Sequence, residues 1–229
     1  SPTGALHMGN VRAALFNYLF AKKEAGDFVL RIEDTDKERS KPEWERDITD
    51  NLKWLGLEWD EFYRQSERTE MYAKYLTQLL EQGKAYYCFC KAEDLEAQRQ
   101  DQLSRGVAPR YQGTCKTLTP QEVEKNLKEG KPCVIRFLVL AKIVSFRDLI
   151  RGQVKFDAGL MGDIVIAKDL LTPLYNFSVV VDDFEMNITH VIRGEDHLSN
   201  TPKHILLQEA LGFSRPAYAH LPLILGEDR

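Results

Sequence analysis

Three short polar clusters interrupt apolar or helical stretches of this chain, and each carries residue types able to handle a charged ligand. The first is SPTGALHMGN, residues 1–10, which runs directly into VRAALFNYLFAKK. A helix N-terminus offers unpaired backbone N–H groups and about half a positive charge, which suits a phosphate. Gly4 and Gly9 let a ligand approach the backbone, and His7 can donate to a phosphate oxygen as charge develops. The loop is neither a GxGxxG fingerprint nor a P-loop, because no lysine–hydroxyl pair follows its glycines. The second cluster is RIEDTD (31–36), with Glu33 and Asp34 at the end of an apolar run. The third is VIRGEDH (191–197), in which Arg193 presents a fork of donors suited to a carboxylate. Singly, each has a plainer reading: a structural loop histidine, a solvated acidic turn, an internal Arg193–Asp196 pair. Together, at strand ends, they describe one crevice, because ligands of open α/β sheets bind beyond the carboxyl ends of the strands.

A fourth cluster raises a metal question. Cys88-Phe-Cys90 and Tyr111-Gln-Gly-Thr-Cys115 supply three soft ligands, and no histidine lies between 86 and 175 to complete a tetrahedral zinc site. A metal site and three buried thiols are both open readings. Cys133, in CVIRF, reads as a small core hydrophobe.

The elements that must position these groups follow from periodicity. Val11, Ala14, Leu15, Tyr18 and Leu19 form a helical stripe, with Asn10 as a cap and Gly26 as a stop. FVLRI (28–32) reads as a buried parallel strand. Ser40 and Pro42 open a second helix, with Trp44, Ile48, Leu52 and Leu55 inward, and a third runs from Thr69 to Gln82. The texture then changes. AYYCFC (85–90) reads as a strand, residues 91–104 as a polar helix, and Thr119-Pro120-Gln121-Glu122 as a capping box. CVIRFLVL, VSFRDLIRGQVKF and DIVIAK read as neighbouring strands. After Pro173 the α/β texture returns: a helix over LYNFSVVVDDFEM, a strand over ITHVIRGED, a helix from Thr201 to Gly212, and a last strand over AYAHLPLIL. The expected organisation is an α/β domain in two halves, 1–85 and 175–229, around an inserted α+β domain at 86–174.

With 229 residues, 43% hydrophobic and 29% charged, the chain can build one large core or two small ones. Its net charge of −4 argues against an all-over basic coat but leaves room for one basic face. No long apolar run or signal pattern appears, so a cytoplasmic protein with no membrane association is expected. Four cysteines in such a chain suggest reduced thiols or a metal rather than a disulfide framework. Ser1 falls inside a loop and LPLILGEDR stops where another loop should follow, so the sequence reads as a piece of something longer.

SPTGALHMGNVRAALFNYLFA followed by FVLRIEDTD resembles the opening of glutamyl-tRNA synthetases, which are class I aminoacyl-tRNA synthetases. LHMG stands where that class carries its His-Ile-Gly-His signature, with Asn10 at the last position. WLGLEWDE (54–61), YRQSER (63–68), LYNFSVVVDD (174–183), THVIRGEDHLSNTP (189–202) and HLPLIL (220–225) match in order, so the resemblance covers nearly the whole chain. It implies a Rossmann-like class I catalytic domain with an inserted domain that binds the tRNA acceptor end. The implied activity joins glutamate to the 3′ end of tRNA(Glu) through a glutamyl-adenylate, with L-glutamate and ATP as substrates, Mg2+ accompanying ATP, and activation requiring tRNA. The implied roles are His7 and Asn10 in the catalytic signature, and His7, Gly9 and Asp196 at ATP. Ser1, Glu33, Tyr175, Arg193 and His197 would surround glutamate, with Glu33 holding its ammonium. Some family members carry CxC…YxxxC with a metal, which makes Cys88, Cys90, Tyr111 and Cys115 the zinc candidates. Arg105, Arg110 and Lys116 form a loop suited to phosphates or simply to solvent. The resemblance also implies an arginine before SPTG and a Lys-Met-Ser-Lys-type loop after Arg229. A monomer is expected. A paralogue that glutamylates a tRNA base and a silent tRNA-binding module are the alternative readings.

Overall fold

The structure, a computed structural model, describes residues 1–36 and 38–224. The first α/β segment contains α1 (Met8–Lys23), β1 (Val29–Ile32), α2 (Pro42–Trp54), β2 (Glu61–Arg64) and α3 (Thr69–Glu81). The middle segment contains β3 (Ala85–Cys88), α4 (Ala92–Ser104), α5 (Pro120–Lys128), β4 (Val134–Phe137), β5 (Ile143–Asp148), β6 (Gly152–Asp157), β7 (Ile164–Asp169) and β8 (Thr172–Pro173). The last contains α6 (Tyr175–Glu185), β9 (His190–Gly194), α7 (Thr201–Leu211) and β10 (Ala217–Leu221).

Strands β1 and β2 pair in parallel, from Val29 opposite Glu61 to Ile32 opposite Arg64. A second sheet has the order β6-β5-β10-β9 and a third the order β3-β4-β7-β8. The third is antiparallel throughout. In the second sheet β10 runs parallel to both β9 and β5, while β5 and β6 form an antiparallel hairpin. The sheet therefore crosses the sequence-derived boundary at 174, since β5 comes from the middle segment and β10 from the last. One continuous core ties these layers together. Tyr72, Leu76 and Leu79 of α3 meet Phe177, Val180 and Val181 of α6 and Ile205 and Leu207 of α7. Burying each such side chain contributes about 1.5–3 kcal/mol.

Several local expectations hold in detail. Pro42 occupies the first turn of α2, and the Thr119–Glu122 capping box forms in both directions. Gly212 takes the left-handed conformation that ends α7 (φ 74°). Others are corrected. Asn10 does not cap α1. The helix starts at Met8, because the His7 carbonyl already accepts from Asn10 N and Val11 N at 2.9 and 3.1 Å. The α1 stripe is not fully buried anywhere, and Leu15 and Leu19 are exposed. Ala25, not glycine, takes the left-handed turn after α1 (φ 52°), and Gly26 N closes it on Ala21 O at 2.9 Å. Leu55 is exposed rather than inward. Cys133 is half-buried just before β4 rather than in the core. The last strand stops at Leu221, and Leu225 of the predicted run lies outside the described residues.

Candidate active site

The parallel strands bring the polar clusters to one edge. β1 ends at Ile32 and delivers Glu33, while β9 carries Arg193 one residue before its end. The opening loop is tied to the β1 and α2 side, and α1, which it enters, to β9. Ser1 Oγ donates to Glu33 O at 2.9 Å, Leu6 N donates to Asp47 of α2 at 2.8 Å, and Asn17 of α1 donates to Ile192 O of β9 at 2.7 Å. A cleft of about 620 Å3 opens between these elements. Ser1, His7, Asn10, Glu33, Tyr175, Arg193 and His197 all line it, and Arg31, Asp183 and Asn200 complete its polar wall. Seven residues from four separate stretches of the chain thus share a single cavity.

Two predicted residues sit differently. Gly9 does not line the cleft but lies under the His7 ring, where a Cβ would come within 3.1 Å of two ring atoms. Its lack of a side chain is what lets the imidazole fold over the start of α1. No side chain caps that helix, so its first N–H groups have no side-chain acceptor. Asp196 is also outside the cleft lining. Its carboxylate is 3.5 Å from His197 Nε2, and it makes no pair with Arg193.

The two arginines of the cleft are in opposite electrostatic states. Arg31 is neutralised: it meets Asp183 at 3.0 Å, Glu33 at 3.2 Å and Asp182 at 3.7 Å. Burial works against its charge, yet Asp183, Glu33 and Asp182 outweigh that and hold its pKa above the ordinary value. Burial pushes the Asp183 carboxyl up, with Arg31 opposing. Arg193, in contrast, forms no ion pair among the described residues. Its partners are neutral: His220 Nε2 at 3.3 Å, His204 Nδ1 at 3.4 Å, Thr201 Oγ1 at 2.7 Å and His197 O at 3.4 Å. The cleft therefore holds one uncompensated cation. Tyr175 stands beside it, its hydroxyl 3.4 Å from His197 Nδ1, and burial followed by the charge of Glu33 pushes its phenol up to about 12.

Arg31, Asp182 and Asp183 are missing from the sequence reading of the site. Their signal was present: an arginine inside the apolar strand FVLRI and two aspartates inside the apolar helix VVVDDF. A buried charge in such a run needs a partner.

Burial, then the nearby Arg193 charge, lowers the pKa of His197 and takes that of His204 well below the ordinary 6.5. Burial also lowers His220, although Asp148 pulls the other way. All three imidazoles are favoured neutral in the folded state, so the unfolded chain binds more protons as acid is added. Stability is expected to be fully present above pH 6.5 and to fall progressively below it, toward the depressed folded values. Urea midpoints measured from pH 8 to pH 5 check this, and a midpoint that stays flat or rises below 6.5 would contradict it.

In the middle segment the Sγ atoms of Cys88, Cys90 and Cys115 lie within 4.8 Å of one another. Tyr111 Oη is 3.4 Å from both Cys88 and Cys90 and accepts from Cys115 N at 2.9 Å. Arg136 stacks 3.8 Å over the Tyr111 ring. Burial alone would raise the Cys88 thiol, but the Tyr111 hydroxyl and Arg136 together hold it below the ordinary value. A second cleft of about 470 Å3 in this segment is lined by Arg105, Arg110 and Lys116. Among the described residues no helix is long and apolar enough to cross a membrane.

The sequence pattern of the tRNA synthetases class I (E and Q), catalytic domain, matches residues 1–229. The glutamate–tRNA ligase of Hydrogenobaculum sp. is 57% identical over 230 residues, covering all of this chain and 50% of the relative. That of Aquifex aeolicus is 58% identical over 230 residues, covering all of this chain and 49% of the relative. A crystal structure of the glutamate–tRNA ligase from Elizabethkingia meningosepticum in complex with its amino acid superimposes with a TM-score of 0.91 at 43% identity. It covers 98% of this chain and 48% of that one. The chain thus spans about half the length of the curated relatives it matches.

Proposed function

Because the chain belongs to the class I tRNA synthetases of the E and Q type, with the Rossmann-like catalytic fold of that family, we propose that its cleft activates L-glutamate with ATP for transfer to tRNA(Glu). The observation that carries this reading is the uncompensated Arg193, held by neutral partners in a cleft entered by an uncapped helix. A glutamate side-chain carboxylate meets the charged Arg193 guanidinium at its remaining Nη1–H. Its ammonium lies beside Glu33, with Ser1, Tyr175 and His197 closing the pocket. The α-carboxylate oxygen then attacks the α-phosphorus of ATP, and the bond to the bridging oxygen breaks to release pyrophosphate. ATP enters as its Mg2+ complex. His7 and the first N–H groups of α1 donate to phosphate oxygens as charge develops, Gly9 gives His7 its seat, Asn10 completes the first turn, and Asp196 lies near the nucleotide beside His197. A ribose hydroxyl at the tRNA 3′ end next attacks the glutamyl carbonyl of the adenylate, giving up its proton as the acyl–phosphate bond breaks and AMP leaves. Positioning and charge stabilisation supply most of the rate.

Residues 1–85 and 175–229 form the catalytic halves in this reading. Residues 86–174 grip the acceptor end, with the β5–β6 hairpin sewn into the catalytic sheet and Arg105, Arg110 and Lys116 facing phosphates. The protein acts as a cytoplasmic monomer. The base-modifying and silent-binder alternatives gain nothing from the named relatives, which are glutamate–tRNA ligases. Glutamate-dependent ATP–pyrophosphate exchange by the full-length protein tests the function. Exchange is expected only when tRNA is present, and glutamate-independent or absent exchange would overturn the reading.

Zinc fits the middle-segment cluster. Tetrahedral coordination at about 2.3 Å sets sulfurs about 3.8 Å apart, and Cys90 and Cys115 are already 3.5 Å apart. Three thiolates around Zn2+ carry one net negative charge, which Arg136 balances. Cys88, Cys90 and Cys115 would hold the ion with Tyr111 as fourth ligand, fixing β3 to the 111–115 loop. About one zinc per chain is expected by metal analysis of protein purified without chelator, and Cys115→Ser should lose it. Metal-free protein would remove the site.

A further inference from the structure

The strand register puts Arg193 directly beside His220, and Tyr218, two residues earlier on β10, beside Asp148. Asp148 is fully enclosed. It accepts His220 Nδ1 at 2.6 Å, together with Ile150 N at 2.9 Å, Arg151 N at 2.8 Å and His220 N at 3.3 Å. An ionised carboxylate can only accept, so His220 carries its proton on Nδ1. Its Nε2 is left as an acceptor, aimed at Arg193 Nε (3.3 Å) and the Thr201 hydroxyl (3.0 Å). His204 is set the same way from another direction. Its Nε2 meets Asn176 Oδ1 at 3.0 Å, which as an amide oxygen fixes the proton there, and its Nδ1 faces Arg193 Nη1 at 3.4 Å.

We infer that Asp148 and Asn176 act through His220 and His204 as positioning residues for Arg193, fixing two imidazole tautomers whose neutral acceptors orient the guanidinium without neutralising it. A guanidinium has five N–H donors. The two imidazoles, Thr201 and the His197 carbonyl take four, leaving one Nη1–H and the whole positive charge for a ligand in the cleft. Had carboxylates filled those places, as they do around Arg31, the cation would be satisfied without substrate. A carboxylate ligand completes this cradle, whereas an amide brings no compensating charge, so the cradle sets the preference for the acid over its amide. The low pKa values of both imidazoles agree with neutral rings.

This inference rests on the proposed glutamate site, and two isosteres of His220 separate the two in the full-length protein. Asparagine places an N–H where imidazole Nδ1 sits, which keeps the bond to Asp148 and withdraws the acceptor from Arg193. Glutamine places its carbonyl near Nε2, which does the reverse. His220→Asn is expected to raise the KM for glutamate in tRNA-dependent exchange about tenfold and to narrow the preference over glutamine. His220→Gln should raise it by no more than about threefold, while being the less heat-stable of the two. A purely structural His220 would make loss of function follow loss of stability, which is the opposite ranking and would overturn the cradle. Asp148→Asn gives a readout independent of turnover. Histidine 15N shifts should place the His220 proton on Nδ1 in the unmutated protein and on Nε2 in the variant, and an unchanged tautomer would also overturn it. No glutamate-dependent exchange by the unmutated protein would instead overturn the glutamate reading and the specificity argument with it.

Discussion

Arg193→Ala should lower kcat/KM for glutamate-dependent exchange by about a thousandfold, with the fold intact. Removing one partner of a desolvated charge pair costs about 2–5 kcal/mol, and each 1.4 kcal/mol is about tenfold. Arg193 lines the cleft and is its only cation without a carboxylate partner among the described residues. Nothing else there can take over the substrate carboxylate, because Arg31 is occupied by Asp183, Glu33 and Asp182. Arg193→Lys should be nearly as impaired. A lysine ammonium keeps the charge but cannot meet His220, His204 and Thr201 in one plane. Exchange kinetics alongside circular dichroism check both variants. Arg193→Ala retaining more than about a tenth of the activity would mean that the carboxylate is held elsewhere.

The second large effect concerns stability. Asp182→Ala should destabilise the protein by about 3–5 kcal/mol in chemical denaturation, the usual loss when one partner of a buried ion pair is removed. The Asp182 side chain is fully buried on α6 and gathers three other elements. It accepts the Tyr72 hydroxyl of α3 at 2.8 and 2.9 Å, Arg68 Nε at 2.8 Å and Gln65 Nε2 at 2.8 Å, and it faces Arg31 of β1 at 3.7 Å. Alanine would strand the Arg68 guanidinium, the Gln65 amide and the Tyr72 hydroxyl in a low-dielectric interior, while Arg31 would keep Asp183 and Glu33. Because Arg31 also positions Glu33, the variant should lose glutamate affinity along with stability. A loss under about 1 kcal/mol would mean that the network contributes little.

The path from sequence to site was uneven for physical reasons. The three clusters were legible because polar residues at the ends of apolar strands break a strong local pattern, and a parallel sheet leaves such ends at one edge. Helix starts were less legible where tertiary contacts decide them. Asn10 is the better intrinsic cap, yet the loop is held at Ser1 and Leu6, so helical bonding begins at His7. The support of Arg193 was hidden for a different reason. Asp148 is 72 residues from His220, and His220 is 27 from Arg193. Only the pairing of β5 with β10 and of β10 with β9 brings them together. Nothing in local composition announces that a strand from the middle segment joins the catalytic sheet. Arg31 and the Asp182–Asp183 pair were visible as charges in apolar runs, but which charge meets which is a property of packing between β1, α3 and α6.

The central claim is that the 1–10 loop, Glu33 and Arg193 enclose one ligand, and a crystal structure with a non-hydrolysable glutamyl-adenylate analogue addresses it most directly. The side-chain carboxylate should lie within hydrogen-bond distance of Arg193, the ammonium beside Glu33, and the phosphate mimic against His7 and the start of α1. An analogue bound in the cleft without touching Arg193, or bound outside it, would contradict the account.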